Sequence, residues 1–162
     1  MPHTRRRTNK RGKGLIQSGK SNVFYVVDIV GWSWSAAFGL WEVPGTAGKS
    51  YHDLRHLKVD GRFIQPAQFF GVEANFTFVP DERLNRENRG EAQPRSIGRL
   101  RLSEPVRALV SIPSDVVPCL LTMLCAEQFK YLVLSGAPAR NRQSDLLFFS
   151  FETKFDIESV PQ

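Results

Sequence analysis

The sequence predicts an all-β fold, an antiparallel sandwich or a barrel, with one amphipathic helix in its C-terminal half. Several segments alternate large apolar and small or polar residues with a period of two, which is the pattern of a half-buried strand. Residues 114–128 follow helical spacing, but strands and helices do not alternate as they do in a parallel α/β sheet. Twelve Phe, three Trp and three Tyr residues add the flat side chains that favour strands.

The strand signals begin at Val23. Residues 23–30 are β-branched and aromatic, and residues 31–41 then place large side chains, including Trp32 and Trp34, on one face and small ones on the other. Further strands are predicted over 54–64, 70–79, 97–102, 106–112, 129–135 and 145–155. The clearest of these is 70–79, whose inward face is predicted to hold Phe70, Val72, Ala74, Phe76 and Phe78.

The helical segment contains its own start signal. Ser114 is expected to cap the helix, and Asp115 suits the positive end of the helix dipole. Pro118 is tolerated because it falls in the first turn. The predicted core-facing stripe consists of Val117, Leu120, Leu121 and Leu124. Cys119 and Cys125 lie in the same segment and are expected to be buried structural thiols, six residues apart and not bridged.

Charge divides the chain into two parts. Residues 1–21 are predicted to be a disordered basic tail, and residues 22–162 a single β-rich domain. Seven of the 22 Lys and Arg residues lie in the first twenty positions, which contain no acidic residue. The rest of the chain therefore has 15 basic residues against 16 acidic ones and is close to neutral. The excess positive charge belongs to the tail.

This division predicts a non-catalytic binding or assembly module whose basic arm contacts nucleic acid or another polyanion. Arg and Lys side chains on a flexible arm neutralise phosphates and release counterions, without reading sequence. The predicted contact residues are Arg5, Arg6, Arg7, Lys10, Arg11, Lys13 and Lys20.

Two alternatives stay open. The first is an enzyme or small-ligand binder with a pocket between the sheets near Asp28, Ser33 and Ser35, and the candidate lining residues are Tyr25, Asp28, Trp32 and Trp34. The second is a structural subunit of a homo-oligomer that associates through sheet faces or edges. We expect no catalytic residues, because no nucleophile, base or acid pair is recognisable from its spacing.

Two motifs suggest ligands but lack the necessary context. Residues 14–21, GLIQSGKS, match the phosphate-binding P-loop pattern, but a charged segment precedes them and a strand follows, where a strand and a helix are needed. The segment 45–50 is two residues shorter than the pattern. His52 and His56 would share a face of a helix, but in a strand they lie about 13 Å apart. No cofactor and no metal are predicted.

The loop 80–96 interleaves arginines with acidic residues, which indicates a solvated, salt-bridged loop.

The sequence also bears on the cellular location of the protein. Two unpaired cysteines suit a reducing compartment, and the basic start is not followed by an apolar signal segment. No stretch approaches 18 uninterrupted apolar residues, so no membrane partner is predicted. The expected location is therefore cytoplasmic.

Overall fold

The computed structural model describes residues 22–42, 44–45, 48–88 and 94–155; for Trp41 it describes the backbone only. The predicted basic tail of residues 1–21, its seven contact residues and the P-loop-like segment 14–21 lie outside the described residues. Those predictions therefore stay predictions.

The described residues form seven strands and one α-helix. In chain order these are β1 (Val23–Glu42), β2 (Lys49–Gln65), β3 (Glu73–Asp81), β4 (Gly98–Arg101), β5 (Val106–Pro113), α1 (Val117–Cys125), β6 (Tyr131–Gly136) and β7 (Gln143–Glu152). Short 3-10 turns occupy Ala67–Phe69, Glu82–Leu84 and Ser114–Val116. The predicted all-β class with one helix in the C-terminal half is confirmed. In the described part of the chain no helix combines the length and apolar character needed to cross a membrane.

The strands close into a barrel rather than forming two facing sheets. Their order is β1-β2-β3-β5-β4-β7-β6, and β6 pairs with β1 to complete the circle. Every neighbouring pair is antiparallel except β3 and β5, which run parallel from Ala74 beside Val106 to Asp81 beside Pro113. Strand β4 pairs with the other edge of β5 and links it to β7. The sheet is thus mixed, and the barrel form of the predicted fold is the one adopted.

The core fills the inside of this barrel. Alternate residues of each strand point inward, as Leu57, Val59 and Phe63 do on β2. Phe63 lies at the centre of an aromatic cluster with Tyr25, Phe69 and Phe76, at ring-centroid distances of 5.8–6.2 Å. Burial of such large side chains from water is the main stabilising contribution to a domain of this size.

The helix packs against the same core, but it starts differently from the prediction. Val117, Leu120 and Leu124 are buried and Leu121 is half-buried, as expected. Ser114 does not cap the helix: its Oγ is buried without a hydrogen-bond partner among the described residues. The reason is that Ser114 begins a 3-10 turn, so α1 starts three residues later, with Pro118 in its first turn.

The predicted burial of Cys119 and Cys125 is wrong. Both thiols are free and exposed. A nine-residue helix that lies on a barrel buries one stripe, and that stripe is filled by Val117, Leu120 and Leu124. The two cysteines fall on the faces that remain in solvent.

The predicted inward orientation of Phe70, which was based on the period-two pattern, is also wrong. It is 74% exposed, whereas Ala74, Phe76 and Phe78 are buried as predicted. The strand β3 starts only at Glu73, after a 3-10 turn and Gly71, whose φ of 78° lies in the left-handed region. The alternation therefore does not extend back to Phe70.

The two longest strands project beyond the barrel as a two-stranded ribbon. Strand β6 pairs with β1 over Val23–Asp28, and β3 pairs with β2 over Leu57–Arg62. Beyond these limits β1 and β2 continue to pair with each other, from Ser35 beside His56 to Glu42 beside Lys49. We call residues 35–42 and 49–56 the ribbon.

A bulge lies between the barrel and the ribbon. The register shifts between Ile29, which faces Gly61, and Gly31, which faces Asp60, so that Val30 is the extra residue. The extra residue is therefore on β1, and β2 runs through Asp60 and Gly61 without interruption. At Gly61 the bulged chain comes very close: a Cβ there would meet the Val27 side chain and lie 2.7 Å from the Asp28 carbonyl oxygen.

We expect Gly61→Ala to lower the free energy of unfolding by about 1–3 kcal/mol, because backbone of β1 would have to move. Gly31→Ala is the matched control, since a Cβ at Gly31 meets nothing within 4 Å. Urea denaturation of both variants measures the difference. Equal stability of the two would show that the close approach at Gly61 is not a constraint.

Candidate functional site

The outer wall of the barrel presents rows of side chains that cross five strands. One row runs from Lys58 on β2 through Thr77 on β3, Leu109 on β5 and Arg99 on β4 to Asp145 on β7. The next row runs through Asp60, Asn75, Arg107, Arg101 and Gln143. Because neighbouring strands are about 4.8 Å apart, each row is roughly 19 Å long.

Two arginines stand directly opposite each other in the second row. Arg101 on β4 is the cross-strand partner of Arg107 on β5, and both are exposed. Within the described part of the chain neither forms an ion pair; the nearest acidic residue in the row, Asp60, accepts a hydrogen bond from Asn75 at 2.6 Å. Like charges in directly opposed cross-strand positions destabilise a sheet. The pair is therefore positioned to bind an anion.

Arg99 lies beside this pair and is only partly neutralised. Its Nε is 3.3 Å from a carboxylate oxygen of Asp145, and both side chains are more than half exposed. An exposed ion pair of this kind is weak and exchanges readily with other partners. Arg99 can thus contribute to binding together with Arg101 and Arg107.

Three hollows join along this wall into one surface, which we call the outer groove. The central hollow, about 730 Å³, contains Arg99, Arg101 and Arg107. It shares Thr77 with a hollow of about 510 Å³ at the base of the ribbon. On the other side it shares Arg99 and Gln143 with a hollow of about 420 Å³. The groove therefore extends from the ribbon across the barrel wall.

The outer groove is cationic although the domain as a whole is not. Six basic residues line it, and two acidic residues oppose them, which leaves an excess of four positive charges. The basic residues are Arg55, Lys58, Arg99, Arg101, Arg107 and Arg140, and the acidic ones are Asp53 and Asp145. Since the sequence after residue 20 is nearly neutral overall, an excess of positive charge on this face means an excess of negative charge on the rest of that part of the chain.

The basic segment predicted from the sequence joins the domain at the end of this groove. Asn22, the first described residue, lines the 420 Å³ hollow together with Arg99 and Arg140. The seven basic residues of positions 1–20 are therefore connected to the domain at its cationic face.

The four residues predicted to line a pocket are not gathered at one place. Tyr25 is in the core, 1% exposed, and Trp32 and Trp34 are half-buried and pack against it. Asp28 is exposed on the outer surface, next to Arg62 on β2 and Tyr131 on β6. Ser33 is also exposed, and Ser35 lines the hollow at the base of the ribbon. A barrel has no space between two sheets, so a ligand near these serines would lie on the outer wall.

Tyr25 has a structural role in this arrangement. Burial raises the pKa of its hydroxyl above the ordinary value, opposed by a hydrogen bond with the Ser144 side chain. Ser144 in turn donates to the Ala137 carbonyl oxygen at 2.6 Å. The unfolded chain therefore loses the Tyr25 proton at a lower pH than the folded protein does, and stability falls as pH rises above about 10.

Histidine spacing gives no metal site. His52 and His56 are on β2, where they face Gly39 and Ser35 of β1 on the same side of the strand, with Leu54 between them. Among the described residues, no group of three or more His, Cys, Asp or Glu side chains is arranged to hold a metal ion. The near-P-loop segment 45–50 falls at the β1–β2 turn, where Gly45 and Gly48 have positive φ, and two of its residues are outside the described part.

The arginine-rich loop behaves as predicted where it is described. Arg83 is paired with Asp81 at 2.8 Å, and this hydrogen bond lowers the pKa of the Asp81 carboxyl. The backbone N–H of Arg86 donates to Asp115 at 3.1 Å. Neither Arg83 nor Arg86 lines the outer groove.

The predicted strand 97–102 contains Arg99 and Arg101, but sequence reasoning did not join them with Arg107, Lys58 and Arg140 into one site. For Arg107, the sequence contained a signal that would have revealed its position. The predicted strands 97–102 and 106–112 are close enough in sequence to form a hairpin, and the hairpin places Arg101 opposite Arg107. Lys58 and Arg140 come from distant positions, so their placement needed the strand order of the barrel.

Comparison with protein-family models, with curated proteins and with solved structures finds no match. The class defined by the fold is a closed, mixed β-barrel with a projecting ribbon and a cationic outer groove.

We expect Tyr25→Phe to lower the free energy of unfolding by about 1 kcal/mol at pH 8 through loss of the hydrogen bond with Ser144. The difference from the wild type should shrink by pH 11, because the variant cannot ionise at this position. Urea unfolding at the two pH values measures both effects. A difference that does not change with pH would contradict the raised pKa of Tyr25.

We expect Arg107→Gln to raise the free energy of unfolding by about 0.2–1 kcal/mol at low salt, because it removes the repulsion with Arg101. The gain should fade at high salt as the charges are screened. Arg62→Gln is the control, because Arg62 lies on the same wall but is paired with Glu73 at 3.2 Å. A loss of stability in Arg107→Gln would mean that Arg107 has a stabilising partner.

Proposed function

We propose that this protein is a non-catalytic nucleic-acid-binding module that holds the phosphate backbone along its outer groove. The observation that carries the proposal is the opposed pair Arg101 and Arg107, exposed and without an ion pair within the described residues. A pair of this kind lowers stability when no anion is bound, and the repulsion is relieved when backbone phosphates lie against the two guanidinium groups.

The length of the groove supports a chain-like ligand rather than a single small anion. The rows of the barrel wall are roughly 19 Å long, which is the axial rise of about five to six nucleotides of a stacked strand at about 3.4 Å each. Arg140 and Lys58 lie toward the two ends, and Arg99, Arg101 and Arg107 lie at the centre. A small anion would contact only the central arginines, whereas a polyanion contacts basic residues along the whole length of the groove.

The chemistry of the groove supports binding without base reading. Arginines supply forked donors for phosphates, and Thr77, Ser111 and Gln143 add neutral hydrogen-bonding groups. Exposed Leu109 offers an apolar surface between the charges, which suits a base or sugar of an unpaired strand. The basic segment attached at Asn22 adds further phosphate contacts near the Arg140 end.

The proposal is tested by fluorescence anisotropy with a labelled single-stranded oligonucleotide of mixed sequence at several salt concentrations. For the double variant Arg101→Gln, Arg107→Gln we expect weaker binding of every sequence. The slope of log affinity against log salt should fall by about 1.4, because two phosphate contacts are lost. A second full-length variant, with the seven basic residues of positions 1–20 changed to Gln, measures the contribution of that segment.

Arg62→Gln and Arg83→Gln are the matched controls, since both arginines are exposed and paired with acidic residues outside the groove. They should leave affinity and salt slope almost unchanged. Duplex DNA and heparin, tested as competitors, distinguish an unpaired strand from a duplex or a sulfated chain. Equal binding by the double variant and the wild type would show that the groove is not the binding surface. Heparin that competes as effectively as the unlabelled oligonucleotide would show that the groove does not distinguish nucleic acid from other polyanions.

A further inference from the structure

The ribbon has an edge that the rest of the chain leaves open. From Val30 onward, β1 makes its described backbone hydrogen bonds with β2 alone, because pairing with β6 ends at Asp28 and the last bond across that edge is Ile29 N–H to the Lys130 carbonyl. The N–H and C=O groups of residues 33–40 that point away from β2 are therefore a template for another strand. We call this the β1 edge.

The β1 edge lacks the features that normally prevent strand pairing. Natural proteins protect exposed edges with charged side chains, proline or bulges. Between Asp28 and Glu42 the sequence contains thirteen residues without a charge or a proline, and the bulge at Val30 lies before the edge begins. The opposite edge of the same ribbon differs, because residues 49–56 of β2 include Lys49, Asp53, Arg55 and two histidines.

The surface beside the β1 edge is also apolar. Phe38 and Tyr51 stack with ring centroids 5.5 Å apart, yet they are 73% and 72% exposed. Leu40 lies directly opposite Tyr51 on the same face and is 48% exposed. A two-stranded ribbon alone is only marginally stable in water, and more strands with an apolar face are needed for a stable sheet. The ribbon therefore has both an open edge and an apolar face to extend.

We propose that the β1 edge pairs with the same edge of a second copy of this chain, antiparallel and related by a two-fold axis, to form a four-stranded sheet from two ribbons. A two-fold pairing brings each residue opposite another residue of the same segment. Because residues 33–40 carry no charge, such self-pairing creates no electrostatic conflict at any register that keeps the two apolar faces on the same side. Phe38, Leu40 and Tyr51 of both copies then lie on one face of the sheet, which also carries the Asp53–Arg55 ion pair of each copy.

The charge pattern favours this occupant over nucleic acid or over pairing through β2. A phosphate chain gains nothing from an uncharged backbone edge, and the opposed Arg101 and Arg107 lie on the barrel wall rather than on the ribbon. An eight-residue strand is about 27 Å long, so edge pairing buries less than the standard interface of roughly 800 Å² per partner. The dimer should therefore be weak and dependent on concentration.

The test introduces one charge on the outer face of the β1 edge. Ala37 is exposed and faces Leu54 of β2, so either Ala37→Lys or Ala37→Glu is compatible with the folded monomer. Sedimentation velocity of the full chain, from micromolar to about 0.5 mM, should show a dimer for the wild type. Each variant alone should dimerise roughly two- to fivefold more weakly, because like charges meet across the two-fold axis. An equimolar mixture of the two variants should restore the wild-type dimer.

Ser50→Lys is the matched control, because it places the same charge on the β2 edge of the same ribbon. It should dimerise like the wild type. A wild-type chain that stays monomeric throughout this range would overturn the proposal, and so would a dimer that Ala37→Lys and Ala37→Glu do not weaken. Dimerisation lost in Ser50→Lys and kept in the Ala37 variants would assign the contact to β2 instead. Dimerisation is measured without nucleic acid, so these outcomes do not depend on whether the groove binds it, although Ala37 lines the hollow at the base of the ribbon.

Discussion

The structure depends on the pairing of β1 with β6 over Val23–Asp28, which closes the barrel. Strand β6 has six residues and β1 has twenty, so the closing contact can involve only the first third of β1. The remainder of β1 stays paired with β2 and must project as the ribbon. An enclosed core, a single continuous outer wall and an open strand edge all follow from this difference in strand length.

Closure also explains why cationic side chains collect on one wall. In a barrel every strand sends alternate residues outward, and the strand order brings Lys58, Arg107, Arg101 and Arg99 side by side. Keeping two arginines opposed has a cost in stability, which is a pattern expected where a surface is retained for binding. The ribbon begins where this wall ends, so a dimer joined through its ribbons carries two grooves. If both proposals hold, a long nucleic acid that occupies the two grooves gains affinity through effective concentration.

Local patterns predicted most strands and the inward face of each, because alternation is a property of neighbouring residues. They failed where a distant contact decided the outcome. Phe70 continues the alternation of β3 but falls before the strand starts, and Ser114 resembles a helix cap but enters a 3-10 turn. Cys119 and Cys125 are in an apolar helix, yet only the stripe that contacts the barrel is buried. In each case the sequence shows residue type but not the partner surface.

By itself the sequence determined the all-β class, the single helix, the positions of most strands and the concentration of positive charge before residue 21. These follow from composition and short-range periodicity, which do not depend on how strands are ordered. Tertiary structure decided that the sheet closes into a barrel, that β3 and β5 run parallel, and that arginines from separate strands form one groove. It also decided which edge stays open. Strand order is set by long-range pairing, and no local pattern records it.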